Sequence, residues 1–209
     1  MSKLQLKLLM MILGNILLGF AIGVFIIAEL GTDPFATMNL GVSSTLGWSF
    51  GNYQLVFNSL LFIVILLYGR HLIGIGTLVN MTALGYIADF TVYSYEQLPI
   101  ESIPLVIRLI MLAIGIILAS LGLSLYITAQ LGVAPYDALP LIIMAFTKDK
   151  VSFAKARMGV DILAVIIGFL FGAVVNIGTL IIAVSLGNGV AFFNRRVSEP
   201  LLKRYDVIG

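Results

Sequence analysis

Asp33, Asp137 and Asp161 stand in or beside strongly apolar segments of this chain. A carboxylate held at membrane depth is costly, and it marks a place where a proton, a cation or a polar solute can bind. Asp33 lies in AELGTDPFAT at 28–37 and Asp137 in AQLGVAPYDA at 129–138, two stretches that share Ala, Leu, Gly and Pro at the same positions. In each, a glycine (Gly31, Gly132) follows a long apolar run and a proline (Pro34, Pro135) opens a new helix, the ordinary stop and start signals. Irregular backbone inside a bilayer is tolerated only where protein or a water-filled cavity covers it, and the free amides of a half-helix N-terminus suit a ligand. The candidate substrate-binding residues are therefore Thr32, Asp33, Phe35, Asn58, Tyr136, Asp137 and Asp161, with Gly31, Pro34, Gly132 and Pro135 as the half-helix breaks.

Each acid also has a structural explanation. Asp33 immediately precedes Pro34 and can cap the helix, and Asp137 sits in a first turn, where a carboxylate complements the helix dipole. Asp161 follows Arg157 by four residues, so an ion pair along one helix face, leading to the cytoplasmic surface, would account for it. With one gap, Asp161 falls opposite Asn58 of the earlier VFNSLL, which favours a polar position at the same depth in both places. Glu29 and its counterpart Gln130 end the long helices and could face the same cavity, although a surface position suits Glu29 better.

Other chemistries find little support. His71 is the only histidine and there is no cysteine, so neither a histidine-based metal centre nor a thiol nucleophile can be assembled from one chain. No phosphate-binding loop or dinucleotide fingerprint occurs, because GIGTLVN lacks the required third glycine. The expectation is a protein that is not an enzyme, carries no cofactor or metal and does not bind nucleic acid. An aspartyl dyad drawn from the three acids remains arithmetically open, with nothing to mark it.

The elements that position these residues belong to a membrane. Of 209 residues, 60% are hydrophobic and 11% charged, against about 25% charged in a soluble domain. Mean hydropathy is +1.11. Apolar runs near the roughly 20 residues that cross about 30 Å of hydrocarbon recur along the chain. The run at 8–28, after Lys3 and Lys7, exceeds the apolar core of a secretory signal and is read as a retained span.

The chain also repeats itself. A shift of 101 residues superimposes Gly14 on Gly115, Leu30-Gly31 on Leu131-Gly132 and Pro34 on Pro135; a shift of 102 brings IGTL at 75–78 onto IGTL at 177–180 and Leu84-Gly85 onto Leu186-Gly187. Two homologous halves follow, 1–97 and 98–209, together forming one membrane domain. Each reads as a long helix, a break, a short helix and two more long helices: 5–29, 34–47, 51–70 and 72–92, then 104–130, 135–147, 152–172 and 174–193. The short helices at 34–47 and 135–147 extend only about 20 Å at 1.5 Å per residue. If neither crosses, each half spans three times and the second inserts upside down relative to the first.

The expected fold is thus an all-α polytopic membrane protein of two inverted three-helix repeats, each with a short broken or re-entrant half-helix. With both termini cytoplasmic, eleven of the twelve basic residues lie inside and Arg108 does not. A topology in which the short helices cross scores the same, so the length of the short helices decides for three spans per half. That topology also puts the acidic connection with Glu96 and Glu101 outside. Gly19-x-x-x-Gly23, its counterpart Ser120-x-x-x-Ser124 and the two IGTL stretches are read as packing surfaces. Trp48, Tyr53, Tyr93 and Tyr95 suit span ends.

The repeated Leu-Gly-x-x-Pro-aromatic motif, the IGTL about forty residues after it and the chain length resemble the YczE/YyaS/YitT-type family of bacterial membrane proteins. That resemblance implies a multi-pass protein of the bacterial inner membrane with five or six spans. Gly31, Thr32 and Pro34 match the family's Gly-Thr-x-Pro pattern, whereas the second motif has Val133 in place of the threonine. The function expected is transport or conduction of a small molecule or ion, by alternating access between the repeats. The alternative is a non-transporting membrane subunit that binds a ligand or partner, like the substrate-capturing component of an energy-coupled importer. The partners expected are the lipid bilayer and a small solute or ion, and a homodimer is compatible with so small a bundle.

Overall fold

A computed structural model describes residues 2–100 and 102–208, with side chains through residue 204, so Glu101 lies outside the described residues. The described chain is helical, with no strand: α1 (Lys3–Ala28), α2 (Pro34–Leu46), α3 (Phe50–Tyr68), α4 (Ile75–Glu96), α5 (Leu105–Ala129), α6 (Pro135–Phe146), α7 (Phe153–Leu170), α8 (Ile177–Phe193) and α9 (Glu199–Ile208). Five helical segments are long and apolar enough to cross a membrane, namely α1, α3, α4, α5 and the segment Ile177–Arg204. α7 has 18 residues but carries Lys155, Arg157 and Asp161. The last helix extends beyond residue 193, passing through a π-turn at Asn194–Ser198 into α9.

Local chemistry sets most of the helix ends. A capping box starts α1, with Gln5 N donating to Ser2 Oγ at 3.2 Å and Ser2 N to Gln5 Oε1 at 2.7 Å. Ser49 caps α3 through the amide of Asn52, at 3.2 Å. At the two breaks the glycines do not themselves terminate the long helices. α1 and α5 stop on the polar residues Glu29 and Gln130, both left-handed at φ 52° and 53°. Gly31 (φ 106°) and Gly132 (φ 118°) then supply a second positive-φ step, which turns the chain back into the bundle.

The long helices α1 and α5 form the centre and run antiparallel. Glu29 at the end of α1 pairs with Arg108 near the start of α5 at 2.7 Å. Further along, Phe25 covers Gly115, and Gly14 meets the backbone of Gly122 and Tyr126. At the other end, Leu6 and Met10 share a core cluster with Leu125 and Ala129. Gly19 and Gly23 admit α4 through Leu84, Ile87, Ala88 and Thr91, while Ser120 receives Gly189 of α8. Ser124 hydrogen-bonds Ser198 at 2.6 Å. Both small-residue pairs are thus packing surfaces.

The short helices pack across the halves. Gly41 of α2 lies against the backbone of Gly168 in α7. Ala138 and Ile142 of α6 cluster with Ile65 of α3. The breaks dock the same way: Gly76 N donates to Leu131 O at 2.7 Å and Val133 N to Leu72 O at 2.9 Å, so the second break rests on the first IGTL. Reciprocally, Gly178 abuts the carbonyl of Leu30, and Gly31 lies against Thr179.

One pair of equivalent contacts differs. α3 is fastened to α4 by Gly51 N donating to Asp89 Oδ2 and Tyr86 OH donating to Asn52 Oδ1, both at 2.9 Å. A Cβ on Gly85 would lie 2.7 Å from Gly51 Cα. At the corresponding place in the second half, Gly187 of α8 has nothing within 4 Å of where a Cβ would stand. α7 and α8 are parted, with a cavity between them.

Candidate functional site

The parted helices open onto a cavity of about 760 Å³, lined by Asp33, Asp137, Arg157 and Asp161 together with His71, Gly187 and Val190. It adjoins a smaller cavity of about 100 Å³ that shares Asp33, Asp137 and Arg157 and adds Phe35, Asn58, Asn80 and Tyr136. Leu18, Ile22, Phe25 and Ile182 give this inner space apolar walls.

Asp33 both caps a helix and faces the cavities. Its Oδ1 accepts from the amides of Phe35 and Ala36, each at 3.1 Å, while the same carboxylate borders both spaces. Asp137 does not cap. The residue before α6 is Ala134, which has no side-chain cap, and Asp137 instead pairs with Arg157 Nη1. Arg157 Nε donates to Asp161 Oδ2 at 2.9 Å, and Tyr136 OH donates to Asp161 Oδ1 at 2.7 Å. The guanidinium also lies over the Tyr136 ring, 5.1 Å from its centroid. Phe35 stacks on Tyr136 with centroids 4.3 Å apart, joining the two breaks.

Six of the seven candidate residues are brought to the paired cavities: Asp33, Phe35, Asn58, Tyr136 and Asp137 at the inner one, and Asp161 at the outer. Thr32 is not. Its Oγ1 lies 2.8 Å from Thr37 Oγ1, it is buried, and it borders neither cavity. Its counterpart Val133, by contrast, borders the outer cavity. Glu29 stays at the surface in its pair with Arg108, whereas Gln130 borders the outer cavity.

Arg157 is the residue that sequence spacing undervalued. The pair with Asp161 is present, but the arginine also reaches Asp137 on another helix and so becomes the hub of the site. Spacing also left the first half's equivalent unread. The offset that aligns Asn58 with Asp161 (161 − 58 = 103) aligns Gln54 with Arg157 (157 − 54 = 103). Gln54 and Asn58 are each 1% exposed, and neither side-chain amide has a hydrogen-bond partner. One half carries an ion pair where the other carries two buried amides.

Long apolar helices, two helix breaks that dock across the halves and a charged cluster at the breaks define a multi-pass helical membrane protein. The chain belongs to a family of unknown function, DUF6198, whose model matches residues 5–195. It is similar to an uncharacterized protein of Haemophilus influenzae, 29% identical over 184 residues, covering 85% of this chain and 78% of the relative. It is also similar to two Bacillus subtilis proteins. The uncharacterized protein YyaS is 27% identical over 201 residues and 92% of each chain. The uncharacterized membrane protein YczE is 25% identical over 175 residues, 83% of this chain and 79% of the relative. The resemblance to the YczE and YyaS type holds. No solved structure matches.

Proposed function

We propose that this protein carries a small solute across the bacterial inner membrane by alternating access between two inverted repeats, with both termini cytoplasmic. The observation that carries the reading is the asymmetry between equivalent helix pairs: α3 and α4 closed at Gly51, Gly85 and Asp89, α7 and α8 parted at Gly187. Two halves of similar sequence that adopt different arrangements form the kind of bistable pair an exchange of states requires. The antiparallel course of α1 and α5, which are equivalent helices, supports inversion. In this topology the outer cavity, bordered by His71, Phe153 and Val190, faces the cytoplasm. Closing α7 on α8 while α3 leaves α4 would then expose the same carboxylates to the opposite side.

The chain has no cysteine, so labelling tests this directly. Leu186 borders both cavities. A small membrane-impermeant thiosulfonate should modify Leu186→Cys from either face of the membrane, and Val190→Cys only from the cytoplasmic face. Modification of Leu186→Cys from one face alone would replace the transporter with a binding subunit whose pocket has a single mouth.

A further inference from the structure

We infer that the inner cavity is a site for a small monovalent organic cation, a protonated amine with a short apolar tail. The inference rests on the transport reading for its purpose, while its evidence is the charge, size and polarity of the cavity. The charge count selects the sign. Asp33 and Asp137 border the inner cavity, and Asp161, at the outer one, is held to the same cluster through Arg157 and Tyr136, so the cluster carries three carboxylates. Against them stand Arg157 and the N-termini of α2 and α6, each terminus equivalent to roughly half a positive charge. About one negative charge is left over. An anion would meet a guanidinium already held by two carboxylates, whereas a monovalent cation neutralises the cluster.

Polar contacts give the orientation. Asn58 is 1% exposed, borders the inner cavity, and has no hydrogen-bond partner for its Oδ1 or Nδ2. A buried amide in that condition costs free energy until something accepts from it or donates to it. An ammonium group supplies three donors, enough for Asn58 Oδ1 and the Asp33 carboxylate together. The part of the wall formed by Leu18, Ile22 and Ile182 is apolar and suits an alkyl tail. Phe25 and Phe35 also border the space, and aromatic rings attract a cation. An enclosed apolar cavity of 150 Å³ is known to hold benzene, so about 100 Å³ accommodates on the order of four to six heavy atoms.

Three probes of equal length and different charge test the assignment on the full-length protein in nanodiscs: n-butylammonium, n-butanol and n-butyrate. Thermal melting and calorimetric titration at pH 7 should show saturable stabilisation by butylammonium, with butanol and butyrate weaker by roughly tenfold or more, the expected loss of a charge-assisted hydrogen bond. Asp33→Asn keeps an N-cap for α2 and should weaken butylammonium binding by a similar factor without lowering the melting temperature. Asn58→Leu removes a partnerless amide, so it should raise the melting temperature of the free protein while weakening the amine. Stabilisation by butyrate, equal response to all three probes, or no response to any of them would overturn the assignment. Because binding is read at equilibrium without flux, its failure is distinguishable from one-sided labelling of Leu186→Cys, which would overturn transport instead.

Discussion

Phe35 and Tyr136 occupy equivalent places in the two helix breaks, each immediately after its proline, and their rings stack with centroids 4.3 Å apart. Through Tyr136 the stack reaches Asp161 by a 2.7 Å hydrogen bond and Arg157 by its ring face. The residues that mark the internal repeat are therefore the ones that join the halves at the charged site. A stacked aromatic pair contributes about 0.5–1.5 kcal/mol beyond its burial. Tyr136→Phe should keep the stack but lose the bond to Asp161, lowering stability by about 1 kcal/mol. Phe35→Ala should cost about 3–5 kcal/mol at most, less where the partly exposed site can relax. Melting in detergent, ranked wild type, then Tyr136→Phe, then Phe35→Ala, is the check.

Arg157 is held by two carboxylates, with side-chain exposures of 34% for the arginine, 32% for Asp137 and 26% for Asp161. Partial exposure moderates the interaction, so replacing Arg157 by Gln should destabilise by about 1.5–3 kcal/mol, the range for charged hydrogen bonds. Combining Arg157→Gln with Asp137→Asn should recover part of that loss, because one of the two uncompensated carboxylates disappears. A double-mutant cycle measures the coupling, and strictly additive losses would show that the pair contributes nothing specific.

Gly85 and Gly187 make a matched pair of probes for the difference between the halves. A Cβ at Gly85 would lie 2.6 Å from Gln54 Oε1 and 2.7 Å from Gly51 Cα, whereas nothing lies within 4 Å at Gly187. Gly85→Ala should destabilise by about 1–3 kcal/mol through overpacking. Gly187→Ala should be neutral or slightly stabilising, by up to about 1 kcal/mol, because alanine suits a helix better. Equal effects at the two positions, measured by thermal melting, would argue against a parted α7 and α8.

The two break glycines should tolerate no side chain. Gly31 and Gly132 combine positive φ with close packing on Thr179 and Thr77 of the opposite half. Gly31→Ala and Gly132→Ala each add backbone strain of about 1–2 kcal/mol to a steric clash. Both should reduce the yield of folded protein in size-exclusion chromatography. By contrast, Glu29→Gln, which breaks the exposed pair with Arg108, should cost less than about 1 kcal/mol.

Much of this fold is legible in the residues themselves. The helix breaks fall where glycine, proline and polar residues interrupt apolar runs. The packing roles of Gly19, Gly23, Ser120 and Ser124 follow from their size and spacing. What spacing within one helix cannot reveal is contact between helices. Arg157 and Asp161 are legible as a pair four residues apart, but Asp137 joins them only because α6 packs beside α7. Thr32 looks like a ligand group in a motif, yet the turn after Gly31 directs its hydroxyl to Thr37. The parting of α7 from α8 is only partly legible: IGTL and Leu-Gly occur in both halves, but the shift that aligns them places Ala191 and Asn188 where Asp89 and Tyr86 fasten α3 to α4.

The central claim is that the two helix pairs exchange roles. Spin labels on the exposed positions Val56 of α3 and Phe90 of α4, and on Met158 of α7 and Phe192 of α8, report each pair without disturbing the core. Double electron–electron resonance on the protein in liposomes should resolve two distances for each pair. The fraction parted at α7 and α8 should match the fraction closed at α3 and α4, and conditions that change one should change the other in the opposite sense. A single unchanging distance at both pairs would contradict the account.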